Sequence, residues 1–92
     1  MRAPVGGGEE TERADYDRAY AAAKLAAEVG ERVRHGREAA GISQRELARR
    51  MGTSQSAVDR LEAGGVGATL TTLQRVASAL GLTVSVDLKE SA

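Results

Sequence analysis

Six polar side chains in the middle of this 92-residue sequence stand at spacings where hydrogen-bonding chemistry is possible. Gln44 and Arg45 come first, and Ser54, Gln55, Ser56 and Arg60 follow within two helical turns of one another. A glutamine amide sets a donor beside an acceptor and bonds adenine bidentately. A guanidinium suits guanine in the same way, and a serine hydroxyl suits either kind of base. Gln55, Ser56 and Arg60 are therefore candidate base readers. Gln44, Arg45 and Ser54 sit at helix starts, where free N–H groups and polar side chains favour a phosphate.

Other chemistries find little to work with. The absence of cysteine removes disulfides, thiol catalysis and zinc-finger spacing. His35 is the only histidine, with no second imidazole to build a metal site, and reads as an exposed residue. Ser54 or Ser56 with His35 and Asp59 makes no credible triad, because capping and groove contact account for the serines and no oxyanion loop follows. No enzymatic activity, metal or cofactor is expected. Tyr16 and Tyr20 are the only aromatics, too few for a base-stacking platform.

The elements that must position these groups are short helices. Ser43 with Glu46 reads as a capping box opening a helix to Met51 that buries Leu47, Ala48 and Met51, and Gly52 ends it. Thr53 or Ser54 caps a next helix to about Ala63, with Ala57, Val58 and Leu61 inward. Gly64-Gly65-Val66-Gly67 reads as a loop. Thr69 caps Leu70–Leu80, where Leu70, Leu73, Val76, Ala77 and Leu80 keep helical spacing, and Gly81 closes it. Upstream, a helix is expected to begin around Thr11–Asp17, with acidic residues in its first turn, and to end at Gly41. It carries Tyr16 and Tyr20 on one face and a Leu25, Val29, Val33 stripe. Gly30 and Gly36 leave open whether this is one helix or two.

The length allows one small domain, and such a chain needs well-packed helices or a second subunit to complete its core. No apolar run is long enough to span a membrane, and the start has no apolar signal region, so a cytoplasmic location is expected. Thirteen basic and thirteen acidic residues balance overall, yet unevenly. Residues 32–50 hold six arginines against Glu38 and Glu46, whereas residues 1–30 carry a net charge of −2. An arginine-rich middle attracts a polyanion whatever the net charge of the whole.

Two short helices joined at Gly52-Thr53 have the pattern of a helix-turn-helix, whose second helix enters the DNA major groove. The run Arg37-Glu38-Ala39-Ala40-Gly41-Ile42-Ser43-Gln44-Arg45-Glu46-Leu47-Ala48, continuing through Gly52-Thr53-Ser54-Gln55-Ser56-Ala57-Val58-Asp59-Arg60-Leu61-Glu62-Ala63-Gly64, resembles the Cro/CI-type (XRE) helix-turn-helix domain. Leu70–Gly81 resembles that family's closing helix, and the likeness covers about residues 29–81. It implies a lambda-repressor-like fold. It also implies that Gln44 meets a backbone phosphate and that Gln55, Ser56 and Arg60 read bases. Gly36 departs from the larger apolar residue common at that position.

After Gly81 the period changes. Leu82, Val84, Val86 and Leu88 alternate with Thr83, Ser85 and Asp87, as in a half-buried strand. A lone strand needs a ladder partner, and the simplest is a second copy pairing about a two-fold axis, as a palindromic operator requires. These four apolar residues are the expected dimer interface. The expected architecture is mostly all-α: about five helices, an extra N-terminal helix, and one C-terminal β-strand pairing in a dimer. Residues 1–8 read as a flexible tail, 9–28 as a helical extension, 29–81 as the DNA-binding domain, and 82–92 as the dimerisation strand and tail. A domain followed by one such strand is similar to antitoxin members of the family, the HigA and HipB types. That similarity implies an autoregulating repressor of double-stranded operator DNA that also restrains a toxin, with Tyr16 and Tyr20 as partner-binding residues. The alternative is a stand-alone XRE-family regulator.

Overall fold

The computed structural model describes residues 5–65 and 68–90, with side chains described from residue 12 onward; Val66 and Gly67 of the expected loop lie outside it. Four helices occur among the described residues: α1 (Val5–Ala39), α2 (Gln44–Met51), α3 (Gln55–Glu62) and α4 (Leu70–Leu80).

The N-terminal extension is not a separate helix but the first part of α1, which runs unbroken for 35 residues. It starts at Val5, upstream of the expected start, and takes in Gly6-Gly7-Gly8, so no acidic residue falls in its first turn. Adding residues to an existing helix avoids the cost of nucleation, which explains how the glycines and the alanine-rich stretch share one helix. Gly30, expected to weaken it, is instead the point of closest approach. A Cβ there would lie 2.6 Å from the carbonyl oxygens of both Leu61 and Glu62. Only glycine lets the end of α3 rest on the α1 backbone.

The core is small. Val33 of α1, Leu47 and Ala48 of α2, Val58 and Leu61 of α3, and Val76 of α4 form one buried cluster. Val29, Ile42, Met51, Ala79 and Leu80 pack against it. Leu47 and Val58 are the largest fully enclosed side chains, and truncating a buried leucine typically costs about 2–5 kcal/mol. Leu25 and Leu70, placed on the apolar stripes by their spacing, remain 61% exposed.

The expected C-terminal strand is absent: no strand occurs among the described residues, and residues 82–90 have no regular structure. A single chain offers the segment no ladder partner. Among the described residues, its backbone hydrogen bond runs from the Leu82 N–H to the Ala77 carbonyl at 2.7 Å and belongs to the end of α4. Leu82 and Val84 nevertheless line an open, mostly apolar groove of about 320 Å³ with Leu25 and Val29 of α1 and Leu73 and Val76 of α4. Val86 and Leu88 are exposed.

Candidate nucleic-acid interface

The turn between α2 and α3 is made by three residues, each with a physical task. Gly52 takes the left-handed conformation at φ 69°, which a side chain would strain. Thr53 N–H then bonds back to the Ala48 carbonyl at 2.9 Å, closing α2 in the manner of a Schellman motif. Ser54 is extended, and its Oγ accepts from Ala57 N–H at 3.1 Å, which starts α3. Serving as a cap uses the hydroxyl as an acceptor and leaves its own proton to donate.

Val58 and Leu61 bury the inner side of α3, so Gln55, Ser56, Asp59 and Arg60 are exposed. The three residues expected to read bases are thus brought together on one surface. Arg45 is also exposed, and among the described residues neither Arg45 nor Arg60 has an ion-pair partner.

Gln44, expected to meet a phosphate, turns its amide toward α3. Its amide Nε2 donates to Glu62 Oε1 at 3.1 Å and approaches Asp59 Oδ1 at 3.5 Å. Both amide protons therefore point toward α3, and the backbone N–H is the group left at the α2 start. The capping box is half made. Ser43 Oγ accepts from Glu46 N–H at 3.0 Å, but the Glu46 carboxylate turns to Arg49 and Arg50 at 2.6 and 2.8 Å. Charge-assisted bonds to two guanidinium groups outweigh one bond to a backbone N–H. Hydrogen bonds from Arg49 and then Arg50 lower the Glu46 carboxyl from 4.5 to about 2.

A buried ion pair that no motif announces ties α1 to α3. Arg37 Nε and Nη2 donate to the two oxygens of Glu62 at 2.7 and 3.1 Å, and Nη1 donates to the Ile42 carbonyl at 2.9 Å. Burial pushes the Glu62 carboxyl up, yet hydrogen bonds from Arg37 and Gln44 and the charges of Arg37 and Arg34 leave it below its ordinary value. The same hydrogen bond raises Arg37. A signal was present, because Glu62 follows Val58 by four residues on the inward side of α3, where a carboxylate requires a cation. The arginine-rich middle is accordingly less available than its count implied: Arg34, Arg37, Arg49 and Arg50 all have acidic partners.

The remaining candidates lie apart. Tyr16 and Tyr20 are 71% and 65% exposed on α1, away from the core. Among the described residues no group of acidic or histidine side chains could hold a metal ion, and no helix is long and apolar enough to cross a membrane.

Comparison with known proteins supports this geometry. The restriction-modification controller protein C.AhdI from Aeromonas hydrophila is similar in structure, with a TM-score of 0.61 and 33% identity over 63% of this chain and 84% of that one. No curated protein matches the chain. The helix-turn-helix family model matches residues 33–86, which include α2, the turn and α3. The chain belongs to the helix-turn-helix family.

Proposed function

We propose that this protein is a dimeric regulator of transcription that binds a palindromic operator in double-stranded DNA and acts in the cytoplasm, with no catalytic role. The observation that carries the reading is the exposed set Gln55, Ser56 and Arg60 on α3, held by a capped turn and, among the described residues, without ion pairs. Those side chains present amide, hydroxyl and guanidinium groups suited to base edges in the major groove. Arg45, the Ser54 hydroxyl and the Gln44 backbone N–H supply phosphate contacts at the two helix starts. The description of C.AhdI as a controller protein fits a regulator of this kind.

Dimerisation rests on the C-terminal segment. Leu82, Val84, Val86 and Leu88 alternate along a stretch whose backbone lacks a ladder, next to a groove lined by Leu25 and Leu73. Antiparallel pairing of two copies satisfies that backbone and covers the groove. It also sets two α3 helices about 34–36 Å apart, one per half-site. The test is selection from a random duplex library followed by sedimentation of the complex. Enrichment of a two-fold symmetric motif bound by a dimer is expected, and equal binding of all sequences would overturn the reading.

A second reading, that of an antitoxin, is favoured by the exposure of Tyr16 and Tyr20 on an acidic helix. Tyrosines of this kind anchor interfaces, and the acidity suits a basic partner such as a nuclease. Co-purification with the neighbouring gene product decides it. Capture lost on deleting residues 1–28, with operator binding retained, supports the partner role, whereas retained capture rules out this helix.

A further inference from the structure

Resting on the DNA-binding reading, we propose that Asp59 determines specificity by accepting a hydrogen bond from cytosine N4 in the operator. At 100° per residue, with Val58, Leu61 and Glu62 inward, α3 carries Ser56 and Arg60 nearest the middle of its outward side and Asp59 toward the margin that meets Gln44. Asp59 is exposed and, among the described residues, has no ion-pair partner. Among the described residues its one side-chain hydrogen bond is the long approach of Gln44 Nε2 at 3.5 Å, from the start of α2. That contact orients the carboxylate without consuming it.

A carboxylate accepts hydrogen bonds and cannot donate them. In the major groove only cytosine N4 and adenine N6 donate, while guanine N7 and O6 and thymine O4 accept. Facing a guanine or thymine edge, Asp59 meets acceptors, and its charge adds to repulsion from the phosphates. Cytosine N4 is the donor that aspartate suits, since adenine places the N7 acceptor beside its amino group. Arg60 alongside, suited to guanine, gives the pair of neighbours complementary preferences. Asp59 thus weakens binding to sequences that lack cytosine at its position, which raises the ratio of specific to non-specific binding.

The experiment is library selection with the full chain and with Asp59→Ala and Asp59→Asn, whose folding is verified by thermal unfolding. The parent is expected to enrich one cytosine per half-site. Asp59→Ala should lose that preference by roughly tenfold or more while keeping the preferences set by Gln55 and Arg60, and should bind scrambled duplex more tightly. Asp59→Asn should shift the position toward adenine, which an asparagine bonds bidentately. If Asp59→Ala or Asp59→Asn enriches the parental motif unchanged, Asp59 does no more than orient Gln44 and the proposal is overturned. If the parent itself enriches no motif, the DNA-binding reading fails instead, so the two failures are distinguishable.

Discussion

The Arg37 guanidinium grips both oxygens of the Glu62 carboxylate across 25 residues of sequence, joining α1 to the last turn of α3. Both side chains are largely enclosed, with 13% and 3% of their surfaces accessible. Removing one partner of such a pair leaves the other buried and uncompensated. Arg37→Ala should therefore destabilise the fold by about 3–5 kcal/mol in urea unfolding. Replacing both residues with apolar ones of similar volume should cost much less than the two single changes together. Additive losses would show that the pair is not coupled.

Acid should weaken the fold through Glu62 and Glu46. Their folded-state values lie below the ordinary 4.5, so the unfolded chain binds more protons as pH falls. Stability is therefore full above about 4.5 and declines below it, with the Glu46 part lost as pH falls toward about 2. Unfolding midpoints measured down that range should fall less steeply in Glu46→Gln and Glu62→Gln than in the parent. Parallel curves would contradict the assignment.

Two glycines of α1 should respond in opposite directions to alanine. At Gly30 the new methyl meets two backbone carbonyls at 2.6 Å, so α3 must shift, at about 1–3 kcal/mol or more. At Gly36 it meets only the Cδ1 atoms of Leu82 and Leu80 at 3.2 and 3.3 Å, and these can give way. The helix gains about 1 kcal/mol from either replacement. Thermal unfolding should show Gly30→Ala destabilised and Gly36→Ala neutral or stabilised.

Arg60 and Arg45 should lose different things on removal. Arg60→Ala should cost about 1–3 kcal/mol on the operator and relax one base preference. Arg45→Ala should weaken all sequences alike and reduce the salt slope by about one. Titrations at several salt concentrations on operator and scrambled duplexes separate the two. Identical behaviour of both variants would remove the distinction between reader and phosphate contact.

The C-terminal segment is checked by charge placement. Val86→Asp sets a carboxylate on the face proposed to be covered, where an unpaired charge is strongly disfavoured. Thr83→Asp sets one on the opposite face. Sedimentation should show dimers weakened by the first and little changed by the second.

Capping residues and apolar spacing made α2, α3 and α4 legible, because Ser43, Ser54, Thr69, Gly52 and Gly81 act within a few residues of their own position. The outward placement of Gln55, Ser56 and Arg60 followed from the same periodicity. What escaped depends on contacts distant in sequence. Gly30 reads as a weak point until the carbonyls of Leu61 and Glu62 are laid on it, and the spacing that turns Glu62 inward does not name Arg37 of α1 as its partner. The alternation of residues 82–88 predicts a strand that the structure does not form, since a strand needs another beside it.

The unbroken passage of α1 through Gly30 makes its N-terminal part a rod seated on the end of α3. From Val5 to Gly30 the rod reaches roughly 38 Å at 1.5 Å per residue, and its foot is wedged under the Leu61 and Glu62 carbonyls, with Gly64 resting near Ala27. Tyr16 and Tyr20 therefore stand on the same continuous helix whose backbone at residue 30 seats the end of α3.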